Sequence, residues 1–153
     1  MQADHRNIYQ AARKVAGLTQ EKAAEMMGIS VRSLADYETG VRIPSNATVE
    51  LMVMVYNSQL LATQHLRNSA DFARDLLPAV ETMRLPEAVL TLVDAIYDFA
   101  DDKLDRELID IARDGVISEA ERPRFERIVA KIKDITSAAM AVSCARNIKE
   151  GQQ

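Results

Sequence analysis

The stretch LTQEKAAEMMGISVRSLADYETGVRIP, residues 18–44, decides the fold. It holds two short helical patterns around one glycine, each preceded by a small hydroxyl side chain. Thr19 is placed to cap a helix over Gln20–Met27, its oxygen taking one of the N–H groups that a helix start leaves unpaired. Gly28 supplies a tight turn that only glycine enters without steric cost. Ser30 then caps a helix over Val31–Thr39, and Gly40 stops it. Ala24 is small where the two helices must approach closely. Ile29 and Leu34 fall where they bury between helices, and Tyr37 covers the edge.

Working outward, Ile8, Ala11, Ala12 and Val15 recur at helical spacing and predict a helix over Asn7–Ala16, ended by Gly17. On the other side, VRIPSN reads as a loop around Pro44. A helix over Ala47–Asn57 follows, almost wholly apolar on one side (VELMVMVY). After Tyr56 the character changes. SQLLATQHLRNSADFARDLLP, residues 58–78, reads as a helix with Leu61, Leu66, Phe72, Ala73, Leu76 and Leu77 as candidate buried residues. Pro86 fits the first turn of a long helix whose stripe is Val89, Val93, Ile96, Tyr97, Ala100, Leu104, Leu108 and Ile111. Gly115 ends it, and Ser118 with Glu121 form a capping box for the last helix. That helix carries Phe125, Ile128, Val129, Ile132, Ile135, Ala139 and Val142 on one face. Two long helices joined at DGVIS are expected to fold back as an antiparallel hairpin.

Two helices at a steep angle joined by a short turn with glycine are the helix-turn-helix signature of DNA-binding proteins. With its flanks, the opening stretch resembles the lambda-repressor-like (XRE-type) helix-turn-helix family. The matching residues are Arg13, LTQ at 18–20, Ala24, Gly28, Ser30, YETG at 37–40 and Pro44, and the resemblance covers about residues 6–57. The expected fold is therefore all-α. A five-helix-type lambda-repressor-like domain at 1–57 is followed by a helical domain at 58–153 with the long antiparallel hairpin.

The resemblance implies roles for exposed positions. It carries base reading in the major groove to Val31, Arg32 and Asp36, with Ser33 beside them. Arg32 can donate two hydrogen bonds to guanine O6 and N7, and Val31 can touch a thymine methyl. Asp36, four residues on and on the same helical face, either accepts from cytosine N4 or only orients Arg32. The bland alternative is a solvated Arg–Asp surface pair. Backbone contacts fall to Gln20, at a helix start whose N–H groups favour anions, and to Thr19, Lys22, Arg42 and Asn46. The family also implies an ion pair between Arg13 and Glu38, stapling the first helix to the third.

Composition bounds the rest. The chain has 153 residues, 48% hydrophobic and only 5% aromatic, with five Gly and four Pro. That suits packed helices and argues against the many turns of an all-β fold. Cys144 is the one cysteine, so no intrachain disulfide can form, and no zinc spacing exists. His5 and His65 lack partner ligands at helical spacing, so no metal or cofactor is expected. DIARDGVISEAE, residues 110–121, has the outline of a calcium loop, but Ala112 stands where a carboxylate ligand belongs. A helix end followed by a capped helix start explains every residue there. No catalytic nucleophile–base arrangement or phosphate loop appears. The polar N-terminus and the lack of a long apolar run point to a cytoplasmic protein with no membrane partner.

Charge is uneven. Residues 1–58 hold six Lys/Arg and six Asp/Glu, whereas 59–153 hold thirteen and seventeen. A DNA binder usually shows a basic face, so a neutral first domain counts against strong nonspecific DNA affinity, and one module buries only a modest interface, so useful affinity normally needs a dimer. The expectation is a homodimeric regulator bound to double-stranded DNA and dimerised through Val93, Ile96, Leu104, Leu108, Phe125, Ile132, Ile135 and Val142. The alternative is a protein-interaction module, such as an antirepressor or an inhibitor of another regulator, that keeps the fold and offers its acidic C-terminal domain to a protein partner.

Overall fold

The computed structural model describes residues 5–145, with side chains from residue 8; the side chain of His5 lies outside the described residues. All regular structure among them is helical, and the chain divides into two compact units, residues 1–79 and 80–153.

The first unit contains α1 (His5–Val15), α2 (Gln20–Met27), α3 (Val31–Glu38), α4 (Asn46–Tyr56), α5 (Gln59–Ser69) and α6 (Asp71–Leu76). Hydroxyl caps start three of these helices. Thr19 Oγ1 accepts from the Lys22 N–H at 3.2 Å, Ser30 Oγ from the Ser33 N–H at 3.0 Å, and Ser45 Oγ from the Thr48 N–H at 3.3 Å. Each cap satisfies a donor that the helix itself cannot. Gly28 has φ 68°, and the Ile29 N–H turns back to the Ala24 carbonyl at 3.0 Å. This left-handed closure lets α3 leave α2 steeply without a Cβ penalty.

The core of this unit is Tyr9, Ala12, Ala23, Ala24, Met27, Leu34, Tyr37, Val49, Met52, Tyr56 and Leu61, with Ile29 packed against it. α1 packs on α3, α4 and α5, and α2 packs on α3 and α4. The unit therefore runs past Asn57, where sequence reasoning placed a boundary. Asn57 does end α4, at φ 49°. The chain then returns to the same core, because Leu61 and His65 on α5 are buried there. The first helix formed from the 58–78 stretch, α5, packs on α1 and α4. The stretch breaks at the extended residue Ala70. Of the expected stripe, Leu61 and Ala73 are buried and Leu77 is half-buried, while Leu66, Phe72 and Leu76 are exposed, Phe72 by 69%.

The second unit contains α7 (Leu85–Asp101), α8 (Leu104–Ile111), a 3-10 turn at Ala112–Asp114, and α9 (Arg122–Cys144). α7 packs along α9, and α8 packs on both. The single helix expected from Pro86 to Ile111 is divided at Lys103, whose φ of 58° no α-helix accommodates. After this break Leu104 and Ile111 turn onto Ile128, with Phe99, Leu108, Ile117 and Phe125 around them. Ala88, Ala138 and Ala141 are buried elsewhere in the unit, small residues that allow close helix approach. Arg127 on α9 pairs with Glu107 on α8 at 2.8 Å.

The calcium-like loop has local uses for its carboxylates. Asp110 accepts from Arg113 at 2.8 Å, Asp114 from the Val116 N–H at 3.0 Å, and Glu121 from the Ser118 N–H at 3.0 Å. Glu121 is thus one half of the expected capping box, while α9 itself begins at Arg122. No described helix is long and apolar enough to cross a membrane.

Candidate nucleic-acid interface

The geometry of α3 is fixed from below by Arg13 and Glu38. Arg13 Nε donates to Glu38 Oε1 at 2.6 Å and Nη2 to Oε2 at 2.9 Å, a two-pronged pair with side chains only 8% and 0% exposed. A third donor, Arg13 Nη1, reaches the Leu18 carbonyl at 2.7 Å. One guanidinium thus joins α1, the α1–α2 turn and the end of α3. A charge this deep is tolerable because its donors are matched by acceptors in a fork geometry.

Burial alone would raise the Glu38 carboxyl, but hydrogen bonds from Arg13 and Gln20 and the guanidinium charge outweigh it, so its pKa lies below the ordinary 4.5. The Arg13 pKa rises in turn, chiefly through its hydrogen bond to Glu38.

Gln20 belongs to this network. Its Nε2 donates to Glu38 Oε2 at 2.8 Å, which leaves the second amide hydrogen for another acceptor. Thr19 is exposed beside it, with Oγ1 engaged in the cap. Lys22 is exposed and pairs with Glu25 at 2.9 Å.

On α3, Val31 and Arg32 are exposed in the first turn, and Ser33 and Asp36 are half-buried. Ser33 Oγ lies 2.9 Å from Ser30 Oγ, so the hydroxyl is tied to the helix cap. Among the described residues no ion pair joins Arg32 to Asp36, and the Arg32 guanidinium stands in solvent. Arg42 follows α3 in an exposed loop, its guanidinium 5.7 Å from the ring centroid of Tyr37. Its N–H also donates to the Asp36 carbonyl at 3.1 Å. Tyr37 is therefore a buried platform as well as an edge cover.

Asn46 opens α4 and carries a contact that sequence reasoning missed. Its Oδ1 lies 3.1 Å from Nε2 of the buried His65, whose Nδ1 lies 2.8 Å from the Tyr9 hydroxyl. These residues are 19 and 56 positions apart, so no local pattern could have joined them. An isolated histidine among apolar helical positions was the only visible sign.

The residues expected at a subunit interface divide into two groups. Leu104 is buried inside the second unit, with Leu108 and Phe125 packed against the same cluster. Their role there is internal, because the break at Lys103 rotates α8 onto Ile128. Ile135 and Val142 are half-buried, while Val93, Ile96 and Ile132 remain exposed.

Compared with known proteins, residues 10–61 match a family described as Helix-turn-helix, consistent with the lambda-repressor-like resemblance of the motif. The match takes in most of α1, all of α2, α3 and α4, and the start of α5. The chain matches no curated protein and no solved structure.

Proposed function

From a helix-turn-helix segment at residues 10–61, we propose that this protein is a DNA-binding transcriptional regulator whose α3 enters the major groove. The family match carries the reading. The exposed first turn of α3 supports it, held by an ion pair that gives the helix little freedom to tilt. Val31, Arg32, Ser33 and Asp36 read base edges. Arg32 is the main reader, since a solvated guanidinium without an internal partner can turn both donors to a guanine. Thr19, Gln20, Lys22, Arg42 and Asn46 meet the phosphate backbone, with Gln20 donating the amide hydrogen that Glu38 does not use.

The regulator acts as a homodimer through the second unit. The apolar residues that α7 and α9 leave exposed, Val93, Ile96 and Ile132, support that assembly. Two recognition helices related by symmetry would read half-sites roughly 34 Å apart. Pairing also offsets the weak phosphate attraction of a first unit without net positive charge.

The test is fluorescence anisotropy with random-sequence duplex at low and moderate salt. Binding is expected at low salt, with log Kd rising linearly with log salt as counterions are released. No binding at low salt would remove the proposal and leave the interaction-module reading in its place.

A further inference from the structure

We propose that His65 is a positioning residue for a phosphate contact made by Asn46, a proposal that rests on the DNA-binding reading above. His65 lies on α5 and is 4% exposed, whereas Asn46 is exposed as the first residue of α4. Asn46 Oδ1 faces His65 Nε2 at 3.1 Å. A carbonyl oxygen can only accept, so Nε2 carries the proton. In the neutral ring Nδ1 is then an acceptor, and the Tyr9 hydroxyl at 2.8 Å donates to it. Burial pushes the Tyr9 phenol up to about 12, so that hydroxyl keeps its proton at neutral pH. The hydrogen bonds run one way, from Tyr9 on α1 through His65 on α5 to the amide oxygen of Asn46 on α4.

The consequence concerns the other end of the amide. With Oδ1 held by the ring, Nδ2 turns away from it and keeps its two donors. They stand at the start of α4, where backbone N–H groups already favour an anion and Ser45 occupies only the one from Thr48. Without the ring, the asparagine amide would sample both orientations in the free protein, and only the one that points its nitrogen outward can donate to a phosphate. The relay removes that choice before DNA arrives, so less ordering is left for the binding step.

The test is a double-mutant cycle, Asn46→Ala and His65→Phe, on the full chain. Affinity for a random-sequence 20-base-pair duplex is read at low salt, since a phosphate contact needs no operator. Each single change should weaken binding by roughly threefold to tenfold, the range for one hydrogen bond. The double variant should be no weaker than the weaker single variant, because both remove the same contact. The slope of log Kd against log salt should not change, since a neutral amide displaces no counterion.

Independent, multiplying effects would overturn the proposal, as would wild-type binding by His65→Phe. Should His65→Phe fail to fold, two further readouts decide. The Asn46 side-chain NH2 resonances of the wild-type chain must shift on adding duplex. Asn46→Asp, which keeps the acceptor toward His65 but sets a charge toward the phosphate, must bind more weakly than Asn46→Ala. Unshifted resonances or undiminished Asn46→Asp binding would overturn it. Absence of any wild-type binding at low salt would overturn the DNA reading with it, whereas binding that ignores His65 removes this proposal alone.

Discussion

In the first unit eleven buried apolar residues from five helices meet in one cluster, and a buried ion pair closes its edge. In the second unit the buried cluster is Leu104, Ile111 and Ile128, while Val89, Leu90, Val93, Ile96 and Tyr97 on α7 stay exposed. Val89, Val93 and Ile96 follow one another at steps of four and three, so they form one helical face. A scattered exposed apolar residue is ordinary, whereas residues that share one helical face form a patch, and it is this patch on which the proposed homodimer rests. The first unit gathers one large core behind α3, whose first turn displays Val31 and Arg32, whereas the second leaves a row of apolar residues exposed along α7, the face that the proposed homodimer would cover.

The largest effect expected on this contrast comes from Glu38→Ala. It strands the Arg13 guanidinium in the core and should cost the first unit about 3–5 kcal/mol. Melting followed by probes in each unit should show the first unit failing early and the second unmoved. An unchanged first transition would mean that the pair does not fasten α1 to α3. The same pair predicts a pH dependence. Because the folded pKa of Glu38 is depressed, its contribution is complete above the ordinary value of 4.5 and is lost as pH falls through the folded value. The stability gap between wild type and Glu38→Gln should therefore be flat near neutrality and shrink in acid. A gap that widens in acid would contradict the assigned direction.

Next in size is Ile96→Asp. The side chain is 48% exposed within the unit, so the monomer should lose little stability. An aspartate buried at a subunit interface costs about 2–4 kcal/mol, and sedimentation should shift from dimer toward monomer. A wild-type chain that sediments as a monomer at micromolar concentration would remove the homodimer and with it half of the contrast. Arg32→Ala should then weaken specific operator binding by about 1–3 kcal/mol and leave both melting transitions in place. Specific affinity equal to wild type would take Arg32 out of the readout. The smallest effect is expected for Lys103→Gly. Relief of the left-handed conformation is largely offset by glycine's greater freedom when unfolded, so the second unit should gain at most about 1 kcal/mol in urea denaturation. A clear loss would show that the lysine side chain itself supports the break.

Much of the first unit was legible because its signals are local. Thr19, Ser30 and Gly28 mark helix ends through bonds to residues three or four positions away, and those positions are visible in the chain. The exposed turn of α3 followed from the same spacing, and a family likeness named Arg13 and Glu38 as partners. The helix breaks at Ala70 and Lys103 were not legible, since neither residue is a helix breaker by type and both sit inside continuous helical patterns.

What the sequence determined by itself was the all-helical class, the helix-turn-helix with its caps, and the residues on the face of α3, because each depends on contacts within about one helical turn. Only the tertiary structure decided that α5 belongs to the first core, that Leu104, Leu108 and Phe125 turn inward, and that His65 links Tyr9 to Asn46. The physical reason is the same in each case. Periodicity shows that a helix has an apolar face, but which neighbour covers that face depends on where the chain breaks and on partners tens of residues away.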